Sequence, residues 1–271
     1  MTTVTLTQTA HHIGVITKRN LLRNIRLPQL VLFATVQPVM FLLLFNYVFG
    51  GSIGGSLGDV GGGDYINYLL PGILIQTVVF GATQTSLGLT EDLAGGVIDR
   101  FRSLPMARSA VLAGRTLADL VRSSFVTVLM VVVGYLIGFR AQDGLVKLAL
   151  ALVIGLLFGY AMSWVMATIG LLAKTPEAAQ AAGFLPIFPL VFASSVFVPT
   201  SSMPSWLATF AENQPVSVIA NALRGLILGD PYMAFVDTTL TTLILQSLAW
   251  IIGIIVVFFP LAVRMYRRAV S

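Results

Sequence analysis

Residues 91–122 read EDLAGGVIDRFRSLPMARSAVLAGRTLADLVR, and nine charged residues crowd into them: Glu91, Asp92, Asp99, Arg100, Arg102, Arg108, Arg115, Asp119 and Arg122. Only 10% of the 271-residue chain is charged, so this stretch stands apart from the long apolar runs around it. The chain is 56% hydrophobic with a mean hydropathy of +0.90, values out of reach for a soluble domain with a polar surface. It reads as a polytopic membrane protein. Outward from the charged stretch, candidate spans fall at about 29–49 and 68–90 before it, and 123–139, 147–172, 181–198 and 238–263 after it. Each approaches the ~20 apolar residues that cross ~30 Å of hydrocarbon. The expected fold is all-α, a single transmembrane domain over 1–271 with six transmembrane helices and both termini on one side.

The sixteen Lys and Arg residues decide which side. On the face shared by the termini lie Lys18, Arg19, Arg23, Arg26, the five arginines of 91–122, Lys174, Arg264, Arg267 and Arg268, while the other face has Arg140, Lys147 and Arg224. Thirteen against three is a strong positive-inside bias, which places both termini and the 91–122 loop in the cytoplasm. This bias and attraction to anionic headgroups account for the net charge of +5, so no nucleic-acid partner is expected. With no cysteine, disulfides, thiolate nucleophiles and Cys-ligated metals are excluded. No cleaved leader is expected, because the first apolar run starts only near Gln29 and is too long for a signal core.

Within the cytoplasmic segment 1–28, residues 13–27 suggest a helix on the membrane surface. Arg19, Arg23 and Arg26 share one arc, and Ile13, Ile16, Leu21 and Leu27 another, before Pro28 breaks the run. Residues 50–63 hold eight glycines and no basic residue, which reads as a flexible external loop. Ala151, Gly155, Gly159, Ser163 and Ala167 put a small residue at every fourth position of the fourth span, with Gly134 and Gly138 a shorter version in the third. Such a stripe admits a close neighbour, either within one subunit or between two. The 199–237 connection contains two short helical patterns, after Pro204 and after Pro215, neither long enough to span. They are expected as an extracytoplasmic pair dipping into the outer leaflet with Trp206 near the interface.

Catalytic chemistry is sparse. His11 and His12 have no carboxylate pattern nearby, the external carboxylates Asp59, Asp64, Asp143, Glu212, Asp230 and Asp237 form no recognisable pair, and no metal or cofactor site is expected. None of the three lysines follows the glycine that a phosphate-binding loop requires, so ATP is not hydrolysed within this chain. The interiors of the six spans carry no ionisable residue, which argues against a proton-driven carrier. What remains is a translocation body whose energy enters from outside, and 91–122 is the only sizeable surface for it. Within that stretch Val97, Ile98, Phe101 and Leu104 fall on one helical face, Asp99, Arg100, Arg102 and Ser103 on another, and Pro105 ends the run. Residues 106–122 are expected to lead into the third span, with Arg115 and Arg122 near the headgroups. Phe184, Phe188 and Phe192, beside Pro186 and Pro189, are candidate contacts for an amphipathic or lipid-like cargo.

The stretch from Glu91 to Pro105, with Arg108 and Arg115 beyond it, resembles the loop between spans two and three of ATP-binding-cassette type 2 permeases. Val198-Pro199, Met203-Pro204-Ser205-Trp206-Leu207, Asn213-Gln214-Pro215-Val216-Ser217 and Ala222-Leu223-Arg224-Gly225 resemble the segment before the last span of that family, in its daunorubicin-resistance DrrB/DrrC-like branch. The resemblance implies the membrane subunit of an exporter in a bacterial inner membrane. Two separately encoded nucleotide-binding subunits would hold ATP and Mg, and a second permease copy or paralogue would complete the complex. It further implies that Glu91, Val97, Ile98, Asp99, Arg100, Phe101, Arg102, Leu104 and Pro105 couple to the ATPase. Arg19, Arg23 and Arg26 would make a second contact with it or with the membrane surface, and Trp206, Phe210, Asn213 and Pro215 would belong to an extracytoplasmic gate. The implied cargo is a hydrophobic or amphipathic drug, antibiotic or lipid. A lipid or glycolipid-polymer exporter of the same superfamily and an ATP-independent secondary carrier are the alternatives.

Overall fold

The computed structural model describes residues 6–26, 28–51, 65–96 and 108–269, and all regular structure among them is helical. In chain order the helices are α1 (Leu6–Arg26), α2 (Pro28–Leu44, continued by a π turn at Phe45–Phe49), α3 (Tyr65–Ala94), α4 (Arg108–Leu136) and α5 (Gly144–Leu172). There follow α6 (Pro176–Phe192), a 3₁₀ turn at Thr200–Ser202, α7 (Ser205–Asn213), α8 (Pro215–Leu228), the single turn α9 (Asp230–Met233) and α10 (Leu240–Ala269). Val97, Ile98, Asp99, Arg100, Phe101, Arg102, Leu104 and Pro105 lie outside the described residues, as does the glycine-rich loop beyond Gly51.

Among the described residues four helices are long and apolar enough to cross a membrane: α3, α4 from Ala110, α5 and α10. The apolar helices α2 and α6 are shorter, and the 17 residues of α6 extend only about 25 Å at the rise of an α-helix. α6 starts where Thr175 accepts a hydrogen bond from the Ala178 amide at 3.2 Å, with Pro176 at the first helical position and Glu177 in the first turn. α3 lies at the centre, with α2, α4, α5, α6 and α8 all packed against it.

The small-residue stripe of α5 faces α3. Ala151, Gly155, Gly159, Ser163 and Ala167 are all buried; a Cβ at Gly159 would stand 2.8 Å from Val78 Cβ, and one at Gly170 2.6 Å from the Ser86 carbonyl oxygen. The stripe is therefore a seam inside one subunit. Gly134 of α4 admits Leu70 of α3 in the same way.

Three elements depart from expectation. α4 starts at Arg108, well before the anticipated span, because Arg115, Asp119 and Arg122 recur on one of its faces and find partners on α3. They point into the protein and not outward from it. α1 begins at Leu6 and packs on α4: Ile16 is buried over Gly114, and Thr17 Oγ1 donates to the Gly114 carbonyl at 3.2 Å. α8 is buried among α3, α5 and α10, because its polar face, Ser217, Asn221 and Arg224, is satisfied by the chain around Ser195 and by Tyr68 and not by water.

Gly155→Ala and Gly170→Ala should separate the two kinds of glycine in the seam. At Gly155 the nearest atom is the movable Ile75 Cδ1 at 3.3 Å, whereas at Gly170 it is backbone. Thermal melts of purified protein should show little change for Gly155→Ala and a loss of about 1–3 kcal/mol for Gly170→Ala, the usual cost of overpacking. Equal melting temperatures would mean that α3 and α5 are not in rigid contact.

Candidate functional site

Side chains of α1, α3 and α4 meet at the end of the bundle that carries Glu91. Arg23 donates to Glu91 at 2.6 Å and Arg19 to Asp92 at 3.2 Å, tying α1 to α3. Asp92 accepts from Arg115 of α4 through its other oxygen, also at 3.2 Å. Arg115 crosses α3 where Gly88 leaves room, since its guanidinium occupies the place a Cβ at 88 would take, and it donates to the Gln84 carbonyl at 3.3 Å. Asp119 lies 3.9 Å from Arg115 and 3.7 Å from Arg122, and accepts from Thr85 at 2.5 Å. Arg122 donates to the Gly81 carbonyl at 2.8 Å. These contacts form one ladder from α1 to the midpoint of α4. The Arg23–Glu91 rung is half exposed and worth about 0–1 kcal/mol after screening. The Asp92, Arg115, Asp119 and Arg122 rungs are shielded, where losing one partner of a pair costs far more.

Beyond Arg122 a pocket opens between α2, α3, α4 and α6. Phe41, Phe80 and Phe184 form its aromatic wall, while Gln37, Gln76 and Arg122 supply polar groups. Phe80 lies 5.9 Å from Phe184 and 5.5 Å from Phe188, ring centre to ring centre. Of the three phenylalanines singled out on α6, only Phe184 reaches the pocket. Phe188 and Phe192 continue outward, half exposed, to Phe197 and Phe45, each ring 4.4–5.7 Å from the next.

At the opposite end Arg224 of α8 is fully buried and, among the described residues, has no carboxylate partner. Its Nε donates to the Tyr68 carbonyl, Nη1 to Ser195 Oγ and Asn221 Oδ1, and Nη2 to the Ser195 and Val196 carbonyls, at 2.7–3.2 Å. The guanidinium also lies 3.6 Å from the Tyr68 ring centre. Tyr65 and Tyr68 hydroxyls donate to the Phe197 and Ser195 carbonyls, and Ser217 Oγ accepts from the Ser195 amide. Together they satisfy a buried stretch of non-helical backbone at 193–199 that lipid could not solvate. Gly72 is required here, because a Cβ would collide with the Val196 carbonyl oxygen.

The residues assigned to an outer gate do not converge. Trp206 is 73% exposed and Phe210 is also exposed on α7, Asn213 donates to the Thr209 carbonyl, and Pro215 begins α8. Asn213 does line a cavity of about 550 Å³ with Glu212, Asn221, Tyr232 and Asp237. Burial raises the Tyr232 hydroxyl's pKa against the lowering effect of Arg224. Among the described residues no group of three or more His, Asp or Glu could hold a metal ion.

Residues 11–228 match the family of ABC-2 type transporters. The chain belongs to that family. It is 34% identical over 233 residues, 86% of this chain and 78% of the relative, to the daunorubicin resistance ABC transporter permease protein DrrB1 of Streptomyces coeruleorubidus. It is 28% identical over 240 residues to the probable doxorubicin resistance ABC transporter permease protein DrrC of Mycobacterium tuberculosis, covering 88% and 82% of the two chains. The inner membrane transport permease YadH of Escherichia coli is 23% identical over 209 residues, 75% of this chain and 78% of that one. The chain is thus a multi-pass permease of the inner membrane, a transporter subunit and not a catalytic one, in a family that works with ABC ATPase subunits.

Sequence reasoning about the permease missed Asp92, Arg115, Asp119, Arg122, Gln76 and Arg224. Arg115, Asp119 and Arg122 are spaced as one helical face, a readable signal, and Arg224 interrupts an otherwise apolar run. Removing Arg224 tests its role directly. Arg224→Leu leaves buried carbonyls without donors at about 1–3 kcal/mol each, and should abolish folded permease in membranes as judged by monodisperse recovery in mild detergent. Arg224→Lys supplies fewer donors without the planar fork, so it should restore recovery only in part. Wild-type recovery of Arg224→Leu would contradict the assignment.

Proposed function

We propose that this permease exports a hydrophobic or amphipathic compound, of the drug or antibiotic class named for its relatives, using ATP and Mg held by two partner nucleotide-binding subunits. The observation that carries the reading is the pocket itself: an aromatic wall of Phe41, Phe80 and Phe184 facing buried polar groups at half the depth of the bundle, joined by the ion-pair ladder to α1. Such a pocket suits a cargo that is apolar in body and polar at a few points. In this reading α2 and α6 complete six crossings, both termini face the cytoplasm, and a second permease copy or paralogue lies alongside. Residues 97–105 enter a cleft of the ATPase, and α1, through Arg19, Arg23 and Arg26, makes a second contact. Closure of the ATPases around nucleotide shifts both contacts, and the ladder passes the shift to α3 and α4 around the pocket. Net transport requires that the two conformations differ in affinity for cargo.

Two variants of the permease reconstituted with its ATPase test this reading. Substituting Phe101 and Arg102 together should leave assembly intact while uncoupling ATP hydrolysis from export; full export in that variant would remove the 97–105 assignment. Phe184→Ala should raise the cargo concentration needed for half-maximal ATPase stimulation about tenfold, in line with the loss of one aromatic wall. An unchanged stimulation curve would place the cargo elsewhere.

A further inference from the structure

The aromatic pocket shares two lining residues with a second cavity. The second cavity lies at the Glu91 end and is bounded by Asn20, Arg23, Gly88, Glu91, Arg115 and Asp119. Gln84 of α3 and Arg122 of α4 line both. Arg122 therefore stands where the two cavities adjoin. The Arg122 side chain is 9% exposed and held at its Nη2 end by the Gly81 carbonyl and Asp119, while its Nε–H has no partner among the described residues. Gln76, 4% exposed and lining the same pocket, leaves its Oε1 without a partner as well. A donor and an acceptor buried and unpaired in a native fold each cost free energy, so their presence calls for a reason. Both atoms are covered in this conformation, so a ligand meets them only as the two side chains turn toward the pocket; beside the Phe80 and Phe184 rings they then describe a complement, a flat aromatic body bearing an oxygen acceptor for Arg122 and a hydroxyl or amine donor for Gln76.

We propose that Arg122 is the selectivity residue of the cargo path, reading an oxygen acceptor on an aromatic amphiphile through its Nε–H while Gln76 reads a donor on the same molecule. This rests on the pocket being the cargo site. Arg122 is suited to the task because its charge is already held by Asp119, so its remaining N–H acts as a directed donor and not as a bare cation. A cargo lacking the oxygen still stacks on the phenylalanines but leaves the buried donor unpaired, and a site with an unpaired polar group discriminates more sharply than an apolar one.

The test is equilibrium binding of two fluorescent probes to the assembled permease–ATPase complex in phosphatidylcholine nanodiscs. Daunorubicin carries ring carbonyl and hydroxyl oxygens, whereas ethidium is a flat aromatic cation with no oxygen. Arg122→Lys keeps the charge beside Asp119 but places a methylene where the Nε–H stands, and Gln76→Leu removes the acceptor at similar volume. Arg122→Lys should weaken daunorubicin about tenfold and leave ethidium within twofold, whereas Gln76→Leu should weaken both probes, because the two amines of ethidium are donors as well, with melting temperatures near wild type showing that the fold is kept. Equal loss of both probes in Arg122→Lys would make Arg122 a scaffold residue and overturn the inference. So would wild-type binding in both variants while Phe184→Ala weakens both probes, an outcome that spares the pocket. Wild-type binding in all three variants would overturn the pocket as cargo site and the inference with it.

Discussion

A helix that carries Asn67, Gln76, Thr83, Thr85, Ser86, Thr90 and Asp92 cannot face hydrocarbon, and this constraint on α3 organises the permease. Each of these side chains is buried by protein. The backbone of α5 comes close enough for Thr90 to donate to the Gly170 carbonyl at 3.0 Å, which only a glycine-lined seam allows. α4 brings Asp119 to Thr85, and the turn after α4 brings the Arg140 amide to Asn67. The long outer helix α10, by contrast, keeps an apolar face with Ile252, Val256 and Phe259 exposed, as a lipid-facing helix should.

The two ends of α3 are held in different ways, and the difference bears on function. At one end Arg224 is saturated by carbonyls and small polar groups. Among the described residues no group of opposite charge touches it there, so its partners are neutral. At the other end, charges alternate along the ladder, and its outer rungs, Arg23–Glu91 and Arg19–Asp92, are partly open to solvent. Exposed rungs are weak and exchange partners at little cost, while the buried inner rungs are not free to separate. A displacement of α1 is therefore absorbed at the outside or transmitted inward, and the inward route ends at Arg122 in the pocket wall.

Hydropathy and charge made the membrane class, the charged stretch and the starts of α7 and α8 legible, because each is a property of neighbouring residues. Pro204 and Pro215 mark those two starts within one residue. Partners across helices left no such trace. Arg115 reaches Asp92, and Arg122 reaches Gly81, 41 residues away, so the face made by Arg115, Asp119 and Arg122 looked like a juxtamembrane charge cluster. Arg224 counts in the sequence only as one of three basic residues on the outer face, because its acceptors are mainly backbone carbonyls, which any residue supplies. The small-residue stripe of α5 was readable, but its partner was not: Val78 and Ile75 are ordinary apolar residues until α3 is set beside α5.

The central claim is that nucleotide state at the ATPase contact reaches the pocket through α3 and α4. The chain contains no cysteine, so one thiol placed in the pocket wall at Thr77 reports on it without background. The modification rate of Thr77→Cys by a membrane-permeant maleimide, in the complex with its ATPase, should differ severalfold between the nucleotide-free and vanadate-trapped states. Identical rates in the two states would contradict the account.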